Sequence, residues 1–234
     1  MRIYINDRRA KSLGRVGKIM ANLGFGLAIG AVIAAFLLMS REIYVLLLPL
    51  GLAFAGSLFA QIGQILYSRW GRRPRVDEML DAALKGADEK VALFHYVLGA
   101  SHALVSPAGV FALVPFPDAG VVQFQENRWW LTTEKRGFLR RGGKRALPDL
   151  TLEARAEAKR LKTKLLRHLA PASELEILPL IVFIHPQTVL QAEEAPELTT
   201  HIKKLKDLVR HLPKRPSLTS EQVDYLAEVV HLKA

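Results

Sequence analysis

Two long apolar runs near the N-terminus constrain this chain more than any other feature. Residues 19–39 and residues 43–67 contain no charged side chain, and only the three residues 40–42 separate them. A helix rises about 1.5 Å per residue, so each run is long enough to cross a hydrocarbon core about 30 Å thick. A three-residue break is too short to hold a domain. The sequence therefore predicts a transmembrane helical hairpin over residues 19–68.

The distribution of charge indicates a membrane partner. Of the 33 Lys and Arg residues, 11 lie in residues 1–75, which hold two of the 22 acidic residues. Basic side chains beside a span set its topology and contact anionic headgroups. We therefore expect a protein of the cell membrane with two spans and both termini in the cytoplasm. The side chains expected to contact anionic headgroups are Arg69, Arg72, Arg73 and Arg75.

Small residues recur within the predicted spans. Gly26 and Gly30 form a Gly-x-x-x-Gly pair in the first run, and Gly51 with Ala55 and Gly56 with Ala60 repeat this spacing in the second. Small residues at this spacing let two helix backbones approach closely. The pairs would either pack the hairpin on itself or form a homodimer through Gly26 and Gly30.

Outside the spans, the sequence predicts a basic N-terminal arm, loosely held, over residues 1–18 and a basic juxtamembrane linker over residues 69–76. Residues 77–234 are long enough for one soluble domain of ordinary size. The chain contains no cysteine, which excludes disulfides and thiolate metal sites and suits a cytoplasmic domain.

Hydrophobic patterning in the soluble region alternates between strand and helix. Short strands joined by Gly- and Pro-containing turns are expected over 91–98, 102–105, 110–114, 121–124 and 128–133. A periodic helix is expected over 150–169 and a continuous apolar strand over 177–184. Two helices are expected after it, one over 197–212 and a last one that begins with Thr219 and Gln222 as a capping box. Strand, helix and buried strand in this order predict an α/β fold.

One basic cluster is distant in sequence from the spans. It contains three glycines and is expected to be a loop facing solvent, anionic headgroups or the phosphates of a nucleic acid. Its basic residues are Lys135, Arg136, Arg140, Arg141, Lys144 and Arg145.

Residues 101–116 read SHALVSPAGVFALVPF, and Gly120 and a tryptophan at 129 or 130 follow. This segment resembles the core of the nuclease-related domain (NERD) family, in which a strand with Asp-His runs into a Gly-Pro-x-Gly-Val-Phe turn and the next strand ends in Glu-x-Lys. The helix and strand order extends the resemblance over about residues 76–232. The resemblance implies a restriction-endonuclease-like mixed sheet flanked by helices.

The catalytic positions of that family are altered here. The resemblance places Ser101 at the Asp position, Val114 at the Glu position and Phe116 at the Lys position, and only His102 is retained. In such nucleases the acids hold Mg²⁺ and the lysine assists the attack of water. Valine cannot bind a hard cation and phenylalanine carries no ammonium group, so we expect no cofactor and no nuclease activity.

A displaced active site is the alternative. Asp118 lies just past the Phe116 position, and Asp88 and Glu89 lie upstream, so these acids would have to replace the missing ligands of Mg²⁺. Turn aspartates more commonly make local backbone hydrogen bonds. The sequence also makes His95 and His102 neighbours in a sheet, where partnered structural histidines are expected.

The leading hypothesis is a membrane-anchored NERD-like domain without nuclease activity that binds or scaffolds at the cytoplasmic membrane face. Two rivals remain at this point: a membrane-tethered, metal-dependent nuclease with a displaced site, and a hairpin adaptor whose soluble domain recognises only a protein. The partner, whether nucleic acid or protein, is left open.

Overall fold

The computed structural model describes residues 1–38, 47–71, 73–133, 142–169 and 175–231. The chain divides into two compact units. Met1–Asn6 and Val76–Ala234 form one, which we call the α/β unit, and Asp7–Arg75 form the other, which we call the hairpin unit. The chain therefore leaves the α/β unit after six residues and returns to it 69 residues later.

The hairpin unit consists of two antiparallel helices, α1 (Asp7–Leu38) and α2 (Leu47–Trp70). Within them, Lys11–Leu38 and Leu47–Ser68 are long and apolar enough to cross a membrane. The prediction of two apolar helices is thus confirmed. The break predicted at residues 40–42 lies outside the described residues.

Glycines let the two helices approach closely. A Cβ added to Gly24 would lie 2.3 Å from the backbone nitrogen of Ala60, and one added to Gly63 would lie 2.2 Å from that of Ala21. Such distances are far inside van der Waals contact, so only glycine fits. Gly17 precedes Gly24 by seven residues, as Gly56 precedes Gly63, and this interval keeps them on the contact face.

The Gly-x-x-x-Gly pair singled out in the sequence does not lie in this contact. A Cβ added to Gly26, Gly30 or Gly51 would meet nothing within 4 Å. The expectation that Gly26 and Gly30 pack the hairpin on itself is therefore wrong, because they lie on another side of α1. A homodimer through the pair stays a prediction.

The described residues of the α/β unit form ten strands. They are β1 (Arg2–Ile5), β2 (Ala92–His95), β3 (His102–Ser106), β4 (Gly109–Phe116), β5 (Val121–Gln125), β6 (Arg128–Thr133), β7 (Gly143–Ala146), β8 (Ile177–Phe183), β9 (Val189–Gln191) and β10 (Leu198–His201). The larger sheet has the order β1-β2-β3-β4-β8-β10, and the smaller has the order β7-β6-β5-β9. In the larger sheet β3 runs antiparallel to both neighbours, and the other adjacent pairs are parallel.

Helices cover both faces of the larger sheet. They are α3 (Val76–Leu84), α4 (Leu150–Leu166), α5 (Leu205–His211) and α6 (Ser220–His231). α4 and α6 pack on the face that carries Phe94 and Ala112, whereas α3 and α5 pack on the face that carries Leu93 and Phe111. Alternate residues of a strand point to opposite faces, so these are two separate core layers. The expected α/β class, with a mixed sheet flanked by helices, is confirmed.

The smaller sheet covers one end of the larger one. Trp129 and Leu131 of β6 pack against Val114 of β4 and Phe183 of β8, together with the first turn of α4 at Leu150. Asp149 caps that helix by accepting a hydrogen bond of 3.0 Å from the Leu152 backbone N–H. The resulting third apolar cluster lies over the carboxyl ends of β4 and β8.

Two segments differ from their sequence-based expectation. Arg2–Ile5 is an edge strand parallel to β2, with the Arg2 N–H donating to the Val91 carbonyl at 2.8 Å, so this part of the predicted loose arm is ordered by backbone hydrogen bonds. The helix predicted over 197–212 begins as strand β10, because Leu198–His201 pairs with β8; a 3₁₀ turn and α5 follow.

Candidate functional site

The four positions aligned with the NERD catalytic residues come together at one end of β3 and β4. His102 pairs with Leu113 across the two strands, which brings Ser101 level with Val114. Phe116 ends β4 beside Phe183 of β8. The residues that the resemblance selects are therefore spatial neighbours.

Two of these positions belong to an apolar core. Val114 is 4% exposed, and Phe116 packs against the same cluster with its ring centroid 5.5 Å from that of Phe183. Trp129 lies in contact with Phe183 on the other side, with 6.0 Å between ring centroids. Aromatic and β-branched side chains therefore occupy the positions at which the resemblance implies a carboxylate and an ammonium group.

This donor set does not fit Mg²⁺. The ion requires oxygen ligands in near-octahedral geometry. Val114 and Phe116 offer no such oxygen, and Ser101 provides at most a neutral hydroxyl. No step of metal-assisted hydrolysis is assigned to these residues.

The third position, Ser101, has a structural partner from α4. Its backbone N–H donates to a Glu157 carboxylate oxygen at 2.8 Å, and the Arg160 guanidinium donates to the other oxygen of the same carboxylate. Glu157 is 8% exposed, and at the edge of the core the Arg160 guanidinium balances its charge while the Ser101 N–H supplies a second hydrogen bond. The carboxylate fixes the start of β3 against α4.

The retained His102 belongs to a buried chain of polar side chains. Its Nδ1 lies 2.7 Å from Nδ1 of His95, and Nε2 of His95 lies 3.0 Å from an Asp81 oxygen. Both histidine side chains are buried on the sheet face covered by α3. The sequence-based expectation that these histidines are neighbours in a sheet is confirmed, since His95 and His102 are a cross-strand pair.

The hydrogen-bond partners limit which ring nitrogens of His95 and His102 can act as donors. An ionised Asp81 only accepts, so Nε2 of His95 carries a proton. In the neutral tautomer Nδ1 of His95 then accepts a proton donated by His102, whereas in the imidazolium Nδ1 of His95 donates to His102. Either arrangement joins α3 to β2 and β3.

A second acid of α3 reaches the same region. Asp77, 1% exposed and one turn before Asp81, accepts from the Tyr96 hydroxyl at 3.3 Å. The Tyr96 ring meets the His102 ring edge-on, with 4.9 Å between centroids. Tyr96 has a φ of 63° and its N–H donates to the Ser101 carbonyl at 2.9 Å, so the turn between β2 and β3 holds the ring in place.

The acids considered for a displaced site lie far apart. Asp88 and Glu89 precede β2, at the end of the sheet where β4 begins, whereas Asp118 follows the end of β4. β4 advances about 3.3 Å per residue between these ends, so roughly 20 Å of strand separates them. Asp88 accepts from the Lys90 backbone N–H at 3.0 Å, as a turn residue does.

Asp118 has a structural role as well. It forms an ion pair of 2.5 Å with Arg145 of β7, and its carbonyl accepts from the Thr188 hydroxyl at 2.9 Å.

In the basic cluster, Lys144 lies 4.7 Å from the centre of the Trp130 ring and donates to Gln125. These contacts order the described end of the basic cluster. The other four basic residues, Lys135, Arg136, Arg140 and Arg141, lie outside the described residues.

Sequence analysis missed Asp81, Tyr96 and Glu157. Asp77 and Asp81 are four residues apart in α3, and this interval was a usable signal because it places both acids on one helix face. Nothing in the sequence signalled the contact of Glu157 with Ser101, 56 residues away. Within the described residues, no three His, Asp or Glu side chains converge as a metal site requires.

Comparison of the chain with protein-family models, with curated proteins and with solved structures finds no match. The functional conclusion therefore depends on the residues and distances given above.

Proposed function

We propose that the chain is a membrane-anchored protein whose α/β unit is NERD-like, has lost nuclease chemistry, and serves as a binding or scaffolding module at the cytoplasmic membrane face. The observation that carries this proposal is the apolar environment of Val114 and Phe116. A nuclease of this type needs a carboxylate and an ammonium group at those positions, whereas Val114 is buried in an apolar cluster and Phe116 packs on Phe183.

The arrangement of the elements supports the NERD-like part of the proposal. β3, the Ser106–Gly109 turn, β4, α4 and β8 follow one another in the order that the resemblance implies. The sheet they build is mixed and has helices on both faces, as in the restriction-endonuclease-like fold. A shared scaffold alone does not assign activity, so the argument against catalysis depends on the side chains.

Strand β1 supports the membrane topology. It precedes the hairpin unit, yet it pairs with β2, which follows that unit. Two segments of one sheet lie on one side of a membrane, so the chain between them must cross an even number of times. Two spans satisfy this requirement, and the surplus of basic residues at their ends favours the cytoplasm. In this topology we expect anionic headgroups to be contacted by Arg69, Arg72, Arg73 and Arg75.

The displaced-nuclease alternative has weaker support. It requires Asp118 to cooperate with Asp88 or Glu89, and these acids lie at opposite ends of β4. Two metal ligands have to lie within a few ångströms of one ion.

Cleavage of DNA by the full-length chain in phospholipid nanodiscs tests the loss of nuclease chemistry. The full chain is needed because β1 belongs to the α/β unit. Supercoiled plasmid is incubated with Mg²⁺ or Mn²⁺ and compared with a chain carrying Asp88→Ala, Glu89→Ala and Asp118→Ala. The proposal expects no cleavage above background from either protein. Cleavage that the triple variant lacks would contradict it and would establish a displaced site.

A further inference from the structure

The carboxyl-terminal half of α4 and the loop before β3 border an open basic groove with a volume of about 420 Å³. Sites for small molecules typically have volumes of about 300–1,000 Å³. Four cationic side chains line the groove together with Gly99 of the loop. They are Lys159, Arg160, Lys164 and Arg167.

The loop approaches α4 closely enough to form one wall of the groove. Gly99 has a φ of +83°, and a Cβ added there would lie 3.2 Å from Cβ of Lys164 and 3.3 Å from the Arg160 carbonyl oxygen. The loop is also attached to α4 by the Ser101 N–H bond to Glu157. Both walls are therefore fixed by the fold.

Most of the charge in the groove is not neutralised by the protein. Arg160 is paired with Glu157, but Lys159, Lys164 and Arg167 form no ion pair within the part of the chain that the structure describes. Three exposed arginines elsewhere in the α/β unit have acidic partners: Arg145 with Asp118, Arg155 with Glu197, and Arg215 with Glu176. The α/β unit as a whole is nearly neutral, so this groove is a local concentration of positive charge.

Two features indicate the class of ligand. Clustered Lys and Arg side chains recognise phosphate through charge-assisted hydrogen bonds. None of the groove's lining residues is aromatic, so the stacking platform typical of single-stranded nucleic acid sites is missing from it. The groove is confined to one helix face and one loop, which suits a compact ligand better than an extended polymer.

We propose that this groove binds a compact ligand bearing a phosphate ester or diphosphate with at least two negative charges, supplied by a lipid headgroup or by a soluble metabolite. This inference deepens the proposed function, on which it rests, by naming the ligand class of the binding module. Lys159, Lys164 and Arg167 supply the charge, and the pair of Arg160 with Glu157 positions the loop wall.

Calorimetric titration of the full-length chain in nanodiscs of zwitterionic lipid tests the proposal. The probes are inorganic pyrophosphate and soluble dihexanoyl phosphatidic acid. The groove variant carries Lys159→Gln, Lys164→Gln and Arg167→Gln. Its control carries Lys90→Gln, Arg210→Gln and Lys214→Gln, which removes the same charge from exposed sites elsewhere.

Each charged hydrogen bond lost lowers affinity by roughly a factor of ten or more, so the groove variant is expected to bind at least about tenfold more weakly than both wild type and control. Binding of pyrophosphate alone assigns a soluble ligand, and binding of the short-chain lipid alone assigns a headgroup. Equal affinity of the two triple variants, or no binding of either probe by wild type, would overturn the proposal.

A second variant excludes a folding defect as the cause. Cations in the last turn of a helix also stabilise it. Lys159→Arg with Lys164→Arg retains the charge and is expected to bind as wild type does; loss of binding by this folded variant would contradict the phosphate assignment. Failure of this titration would overturn only the phosphate site. The proposed function is overturned by different results, namely cleavage of DNA by the wild type or the absence of a membrane anchor.

Discussion

The hairpin unit and the α/β unit both contain long apolar segments, but they expose them differently. Only 11% of the most apolar window in each hairpin helix is buried, whereas every residue of β3 and the first six of β4 are buried. Phe36 of α1 is 80% exposed and Phe111 of β4 is fully buried. Soluble proteins rarely leave such large apolar surfaces in water. The exposed apolar surface of the hairpin is what the proposed membrane anchor requires, whereas the α/β unit buries its apolar side chains in its own core.

The two units also pack by different means. The α/β unit buries large side chains such as Trp129 and Phe183, and its stability comes from apolar area removed from water. The helices of the hairpin meet through Gly24 and Gly63, where backbones touch. Lipid tails are as apolar as leucine, so in the proposed membrane setting close backbone approach would replace hydrophobic burial as the source of helix association.

The largest expected effect on stability comes from replacing a phenylalanine of the α/β unit, and the same replacement in the hairpin unit serves as its comparison. Phe111→Ala leaves a cavity between the sheet and its α3 face and is expected to lower the free energy of unfolding of the α/β unit by about 4 kcal/mol. Phe36→Ala is expected to leave it unchanged. Denaturant titration in detergent, followed by the fluorescence of Trp129 and Trp130 in a Trp70→Phe background, measures both. Equal effects would contradict the distinction between the units.

A smaller effect is expected within the hairpin. Gly24→Leu forces α1 away from the backbone of Ala60 and is expected to cost about 2 kcal/mol of helix association. Gly26→Leu, which meets nothing within 4 Å, is the matched control. The chain has no cysteine, so pyrene labels on cysteines introduced at Ser12 and Ser68 report helix separation through excimer loss during SDS titration.

If Gly24→Leu and Gly26→Leu shift the titration equally, the glycine contact is not the source of helix association. A shift that grows with protein concentration for Gly26→Leu alone would instead support the homodimer through Gly26 and Gly30.

The smallest effect concerns the strand that joins the α/β unit from the N-terminal side. Arg2→Pro removes the N–H that donates to the Val91 carbonyl, and it also removes the ion pair with Asp224. Arg2→Ala loses only the ion pair. We therefore expect the Arg2→Pro variant to be about 1.5 kcal/mol less stable than the Arg2→Ala variant. Ile3→Pro is the second control, because alternate N–H groups of a parallel strand point away from the neighbour. Denaturant titration measures all three, and a destabilised Ile3→Pro with an unaffected Arg2→Pro would contradict the pairing register.

Local patterns predicted most of the elements. The apolar runs, the strands between residues 91 and 133, the helix from Leu150 and the strand from Ile177 each carry a periodicity or turn signal within their own sequence. The capping box was also readable, and the Gln222 N–H donates to the Thr219 hydroxyl at 3.2 Å while the Thr219 N–H donates to the Gln222 side chain at 2.9 Å.

Long-range contacts account for what the sequence did not predict. β1 is four residues long and has its partner 90 positions away, so only tertiary structure distinguishes it from a flexible arm. β10 has the composition of a helix start but pairs with β8. At the candidate site the apolar residues Val114 and Phe116 were readable, whereas their packing against Trp129 depends on a second sheet that no local pattern places there.

The most direct test of the membrane-anchored arrangement is cysteine accessibility in sealed membrane vesicles. Single cysteines replace Ile3 in β1, Ala53 on the exposed face of α2 and Lys90 in the α/β unit, and a membrane-impermeant maleimide is added to inside-out and right-side-out vesicles. The proposal predicts that Ile3→Cys and Lys90→Cys are both labelled in inside-out vesicles only, and that Ala53→Cys is labelled in neither. Labelling of Ile3→Cys and Lys90→Cys from opposite sides, or of Ala53→Cys from water, would contradict it.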